Sequence, residues 1–405
     1  MTDVVSMLAP GQRIFVAGSV NEPTALIDEL RVATLPDNLH FIQFPLGGYN
    51  QTDFTALSPN SEHTTFFMTR HLLDADPERL HFLPMQMRAV YDYLSERVDV
   101  VLVQVARDAN GRLRSGPNVD FLGAALASAA VVIAELNTSF TAPAGCPLIT
   151  EQQIDLLIES ERQLFELPVP EIDPAAVRIG KLVASLIQDG DCLQTGIGAI
   201  PAAILNQLGN KNDLGLHGGL IDDGGMELIR QGVLTGANKP LDRGVHVTGM
   251  ALGSHALIEW LAATPEVMFR SANYTHEVNV IRRLPGFVSV NSAVEVDLHG
   301  QINAEVTGGR QISGTGGSVD FMRAAKASRG GRSIIAMNAT ARNGEVSRIV
   351  AKVELVTALR TDVDIVVTEH GIAHLKNLPS RARARALIDI AAPQFRSELE
   401  TEPVS

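Results

Sequence analysis

The chain has 405 residues, 46 acidic against 33 basic, giving a formal net charge of −13, and 45% of it is hydrophobic. That length suggests about two domains, and the apolar fraction excludes wholesale disorder. The net acidity argues against a nucleic-acid surface, which needs clustered Lys and Arg, but leaves small anionic ligands open.

The opening residues carry no basic region followed by a long apolar core, so no targeting segment is expected. Two cysteines, Cys146 and Cys192, are too few for a disulfide framework and point to a reducing, cytoplasmic setting. Arg13–Ala17 reads as a strand, Gly18–Pro23 as a turn and Thr24–Arg31 as a helix. Val98–Val105 and Val131–Glu135 read as further buried strands. The Ala-rich run from Phe121 to Leu136, too short to span a bilayer, reads as a buried helix. Near-continuous apolar strands alternating with helical patterns indicate α/β architecture with largely parallel sheets. The proline-rich stretch 146–174 reads as a crossover between domains 1–173 and 174–405. Beyond it the same grammar restarts. Pro174–Ile187 patterns as a helix, Cys192–Leu193 opens a strand, and Gly196–Pro201 turns into a helix at Ala202–Leu208.

Glycine is clustered. Gly196 and Gly198 lie at a strand-to-helix turn where free N–H groups attract anions, though a tight turn without ligand reads equally well. The run Gly308–Gly317, with Gly314, Gly316 and Gly317 at its end, is richer than a hairpin requires and favours a ligand. Ile365–Ala373 runs a buried strand into Thr368, Glu369, His370 and Gly371, where open α/β sheets bind ligands. His370 as a general base is outweighed by an ordinary hydrogen-bonded histidine. The alternation Arg381, Arg383, Arg385 reads as a solvated helix face or a phosphate site. No metal is expected, because His217, Asp222, Asp223, His246 and His255 lack ligand spacing. No phosphate-loop or nucleophile-elbow motif occurs.

The runs Val290–Ala304 and Gln311–Phe321, with Gly330–Ile335, Val346–Ile349 and Thr368–Ala373 in order, resemble the acetyl-CoA hydrolase/transferase family of the family I CoA-transferases, which includes 4-hydroxybutyrate CoA-transferases. Glu22-Pro23, Val98–Gln104, Asp108–Gly111 and Asn118–Phe121 extend the resemblance through the first half. It implies two similar open α/β domains with the active site between them, commonly in a homodimer. It also implies an acyl-CoA and a small carboxylate as substrates, with no permanently bound cofactor and no nucleic-acid or membrane partner. In that chemistry a glutamate attacks the thioester and becomes an acyl anhydride, then a glutamyl-CoA thioester. The resemblance assigns the oxyanion role to Gly371 and nearby amides, and CoA contact to Gly249, Met250, Ala251, Leu252 and Gly253. Together with Gly196, Gly198 and the 308–317 run they read as one CoA site. One departure stands out. The family carries its glutamate just before a Tyr, and here that position is Asn273. The family's His-Thr-Glu is likewise replaced, because His217 is followed by Gly218 and Gly219. Glu277 is the substitute carboxylate, and Glu295 is expected to stand beside the nucleophile. Either the chain is a CoA-transferase or acyl-CoA hydrolase with an altered site, or it is a paralogue that binds CoA esters without turnover.

Overall fold

The computed structural model describes residues 3–166 and 168–403. Contacts divide the chain into two units, one of 1–167, 219–223 and 247–275, the other of 168–218, 224–246 and 276–405.

The first unit is built on an eight-stranded sheet. Its strands are β1 (Arg13–Val16), β2 (His40–Gln43), β3 (Glu62–Thr65), β4 (Leu80–Phe82), β5 (Val100–Arg107), β6 (Leu113–Ser115), β7 (Val131–Asn137) and β8 (Leu156–Ser160). The order is β4-β3-β2-β1-β5-β7-β8, all parallel, with β6 antiparallel on β5. Alternating residues of β1 and β5 go to opposite faces. Phe15, Val101 and Val103 pack with Val90 and Leu94 on one side, whereas Ile14, Val16 and Leu102 pack with Leu26 and Leu30 on the other. Both faces are therefore buried, which is why these strands read as unbroken apolar runs. The helix Thr24–Val32 buries Leu26, Ile27 and Leu30, a one-stripe spacing, and Glu135 accepts the N–H of Ala25 at 2.8 Å at its start. The helix expected across 121–136 is shorter. It spans Leu122–Ser128 and yields to β7, because Val131, Val132 and Ile133 are β-branched and pair with β5. The stretch 146–174 is likewise not all connector, since its residues Leu156–Ser160 form the edge strand β8.

The second unit carries a six-stranded sheet of β9 (Cys192–Gln194), β10 (Gly215–Leu216), β11 (Phe287–Asn291), β12 (Arg332–Ala336), β13 (Ile365–Thr368) and β14 (Gly371–His374), in the order β10-β9-β11-β12-β13-β14. All pairs are parallel except the hairpin β13-β14. The helix Pro174–Leu186 starts as expected, with Asp173 accepting the N–H of Ala176 at 2.7 Å and Pro174 in the first turn. The following helix spans Ala199–Leu205 rather than starting at Ala202. Gly198 at φ 109° caps it, and Pro201 is tolerated because the first-turn N–H groups need no intrahelical acceptor. No described helix is long and apolar enough to cross a membrane.

Candidate active site

Each sheet has one point where the chain reverses its direction of strand addition. In the first unit β2, β3 and β4 are added to one side of β1, and β5, β7 and β8 to the other. In the second unit β10 is added on one side of β9, and β11, β12 and β13 on the other. Loops leaving the carboxyl ends of the strands diverge at such points and open a crevice, where ligands of open α/β sheets bind.

At that edge of the first unit lies a cavity of about 550 Å³. Val20 follows β1, Phe140 follows β7 and Phe165 follows β8, while Ala251, Gly253 and Ile258 close the other wall. The Gly249–Gly253 segment singled out in the sequence is split in use. Ala251 and Gly253 line the large cavity, Leu252 is buried with Val20 and Tyr49, and Met250 lines a second hollow of about 30 Å³ with Gly18, Ser19, Asn118 and Asp120. Gly249 abuts that hollow, since a Cβ there would lie 2.0 Å from Asp120 Oδ1. Gly249→Ala is therefore expected to cost about 1–3 kcal/mol through overpacking, read as a lowered denaturation midpoint. Gly253→Ala meets the Asp223 carboxylate at 2.3 Å and should behave alike.

Asp120 is the residue that sequence reasoning passed over, although it stands in the quoted block Asn118–Phe121. It is 2% exposed, and its Oδ1 has no hydrogen-bond partner among the described residues. Burial pushes its carboxyl up to about 8. Its carbonyl accepts the N–H of Ala272 at 2.8 Å and so anchors the single turn Ala272–Thr275, on which Asn273 is exposed. The unfolded chain releases the Asp120 proton near its ordinary value and the folded chain only near 8, so this group's contribution to stability is lost as pH rises across that window. Urea midpoints are expected to fall more steeply from pH 6 to 8 in the parent than in Asp120→Asn; parallel profiles would show Asp120 already ionised. The opposite slope holds in acid. Burial holds His63 and His276 near 3 and His246 near 4, so the unfolded chain takes up protons first and stability falls as pH drops below 6.5.

In the second unit the strand ends present amides and hydroxyls. Ser289 Oγ donates to Gln194 Oε1 at 2.9 Å, and Asn291 Nδ2 donates to Ser289 Oγ at 2.8 Å, across the β9/β11 switch point. A Cβ on Gly196 or Gly198 would meet nothing within 4 Å, so these glycines border open space. The 308–317 run divides by role. Gly308 and Gly309, at φ 58° and 74°, make the two-residue turn between Val306–Thr307 and Arg310–Gln311. Gly314 is buried, Gly316 has φ 52°, and Gly317 caps the helix Ser318–Ala327. A Cβ on Gly317 would lie 2.3 Å from His276 Nε2. Gly371, at φ 153°, pairs with Thr368 at the tip of the β13-β14 hairpin.

The carboxylates differ in their commitments. Glu277 caps the helix Val278–Ile281, accepting the N–H of Asn279 at 3.0 Å. Glu295 Oε1 accepts Asn303 Nδ2 at 3.0 Å and the N–H of Glu354 at 2.9 Å. Glu369, read in the sequence only as His370's neighbour, accepts the N–H of Ala339 at 2.8 Å with its side chain 10% exposed. Burial pulls the Arg348 guanidinium down, and the nearby Glu369 charge opposes that. His370 itself is exposed. The arginine alternation also divides. Arg385 pairs with Asp389 and Glu400, while Arg383 donates to three backbone carbonyls.

Two largely parallel sheets, each with a switch point where the loops diverge, define an α/β scaffold of the kind that binds ligands at such points. The acetyl-CoA hydrolase/transferase C-terminal domain family matches residues 253–403. The chain is 38% identical over 412 residues to the 4-hydroxybutyrate coenzyme A transferase of Clostridium kluyveri, covering 98% of this chain and 95% of that protein. The crystal structure of RipA from Yersinia pestis superposes with a TM-score of 0.91 at 31% identity, over 98% of this chain and 95% of RipA. That of 4-hydroxybutyrate CoA-transferase from Porphyromonas gingivalis gives a TM-score of 0.82 at 32% identity, with the same coverages. The chain belongs to the acetyl-CoA hydrolase/transferase family of CoA-transferases, and it is an enzyme of that kind.

Proposed function

We propose that this protein transfers coenzyme A from an acyl-CoA thioester to a small carboxylate, with Glu277 in place of the glutamate that residue 273 lacks. The observation that carries the reading is the whole-length kinship to CoA-transferases, combined with an amide at residue 273. An amide cannot form an acyl anhydride, so another carboxylate has to. The Glu277 carboxylate attacks the thioester carbonyl and expels CoA thiolate, giving an acyl-glutamyl anhydride. Thiolate attacks the glutamyl carbonyl of that anhydride and releases the original acyl group as its carboxylate. The resulting glutamyl-CoA thioester is opened by the acceptor carboxylate, and attack by the returning thiolate then yields the new acyl-CoA and free Glu277. Each addition builds negative charge on oxygen, which the amides of Gly371 and of the Gly314, Gly316 and Gly317 loop are assigned to stabilise. The Gly249–Gly253 segment, with Gly196 and Gly198, is assigned to CoA contact, and Glu295 to the support of the loop that carries it. The same reading has the protein act as a cytoplasmic homodimer, independent of nucleic acid and membranes.

A second reading, hydrolysis by water, is favoured by the exposed Asn273 side chain, since an amide can orient a water molecule. The two separate in one assay of thioester loss with and without acetate. Transfer predicts turnover only with acetate and a new acetyl-CoA product; hydrolysis predicts equal loss of thioester in both.

A further inference from the structure

We propose that the second unit carries a separate binding site for a phosphate group, in the hollow formed by His299, Gln301, Lys352 and Arg360. The hollow measures about 470 Å³ and is open to solvent. Its floor is built rather than accidental. Buried Asp297 accepts the N–H groups of His299 at 3.0 Å and Gln301 at 2.9 Å, fixing the turn between them. Arg383 lies against this turn and donates to the carbonyls of His299 at 3.2 Å, Arg360 at 2.7 Å and Leu375 at 3.1 Å, tying three loops together. Gly300, at φ 87°, admits that guanidinium, because a Cβ there would lie 2.5 Å from Arg383 Nη2.

The hollow is lined by cations. Lys352 and Arg360 are exposed, and among the described residues neither has an ion-pair partner. Arg360 and Arg383 repel one another, and Asp364 and Asp297, which attract Arg383, also accept backbone N–H groups, Asp364 that of Ser333 at 3.2 Å. The Nδ1 atom of His299 is buried without a hydrogen-bond partner among the described residues. A phosphate suits the hollow, because guanidinium forks and ammonium groups bind its oxygens and the anion removes the mutual repulsion of the arginines. The site is not the one proposed for the thioester. Arg360 precedes β13 and Leu375 follows β14, whose His374 pairs with Ile365, so the hollow lies at the amino end of β13. Thr368 and Gly371 mark the opposite end, roughly 10 Å along the strand.

The phosphate arrives either free or at the end of a nucleotide, and calorimetry at fixed ionic strength separates these sources. Inorganic phosphate and ADP are each titrated into the parent and into Lys352→Ala/Arg360→Ala, two exposed positions whose truncation leaves the core intact. A saturable event weakened at least tenfold in the double variant, with acyl-CoA turnover unchanged, supports the site. ADP bound at least tenfold tighter than phosphate assigns it to a nucleotide; equal affinity assigns it to free phosphate. Binding equal in parent and double variant, or matched by chloride, means adventitious surface charge only and overturns the proposal. Loss of turnover in the parent would fail the transferase reading without touching this one.

Discussion

Glu277→Ala is expected to lower acyl-CoA turnover by about a thousandfold or more, the size of effect that follows loss of a covalent nucleophile. The same substitution removes the cap of Val278–Ile281, which alone costs about 1 kcal/mol of stability. Capping and catalysis are separated by Glu277→Asp, whose shorter carboxylate is a good cap but falls short of the thioester. It should keep the parent's denaturation midpoint and lose most of its turnover. If Glu277→Ala and Glu277→Asp both turn over acyl-CoA like the parent, Glu277 is a cap and nothing more. Asn273→Glu supplies the reciprocal test. A carboxylate restored at the position where the family carries it should rescue transfer in the Glu277→Ala background.

The second large effect is expected at Gly18, where β1 ends at the switch point of the first unit. A Cβ there would lie 2.2 Å from the carbonyl oxygen of Phe44. Both groups belong to the backbone, so no rotamer change relieves the contact, and β1 must separate from the loop after β2. Asn118 Nδ2 donates to the Gly18 carbonyl at 3.2 Å, and Asn50 Oδ1 accepts the next N–H, that of Ser19, at 2.7 Å. Displacing the strand end breaks both bonds and distorts the hollow that holds Asp120. Gly18→Ala should therefore cost about 3 kcal/mol and reduce turnover together with stability. An unchanged urea midpoint would show that the strand end yields freely. Gly11→Ala serves as the control, since a Cβ there meets nothing within 4 Å and only its φ of 77° is strained.

The strands were legible because parallel sheets buried on both faces demand unbroken apolar runs, and β1, β5 and β7 are such runs. Helix ends were less so. The 121–136 stretch is apolar throughout, and only its β-branched second half separates β7 from the helix Leu122–Ser128. Glycine clustering marked real loops at the strand ends, but composition does not say which glycines turn a hairpin and which face a ligand. Gly308 and Gly309 are accounted for by their turn, whereas Gly196 and Gly198 border open space. Asp120 was not legible as a buried acid, because the environment that holds its proton comes from Gly249 and Met250, about 130 residues away. The departure at residue 273 shows in the sequence alone, since it is a matter of which side chain is present. The place of Glu369 was not legible because its partner, the N–H of Ala339, lies 30 residues away and meets it only in the fold.

The most direct test of the central claim is peptide mass spectrometry after incubation with butyryl-CoA and reductive trapping by borohydride, beside an assay of thioester loss with acetate present. The account predicts consumption of butyryl-CoA, appearance of acetyl-CoA, and Glu277 recovered as its reduced alcohol in the peptide spanning residues 271–282. No thioester loss, with every glutamate unmodified, would contradict it and leave a protein that binds CoA esters without transforming them.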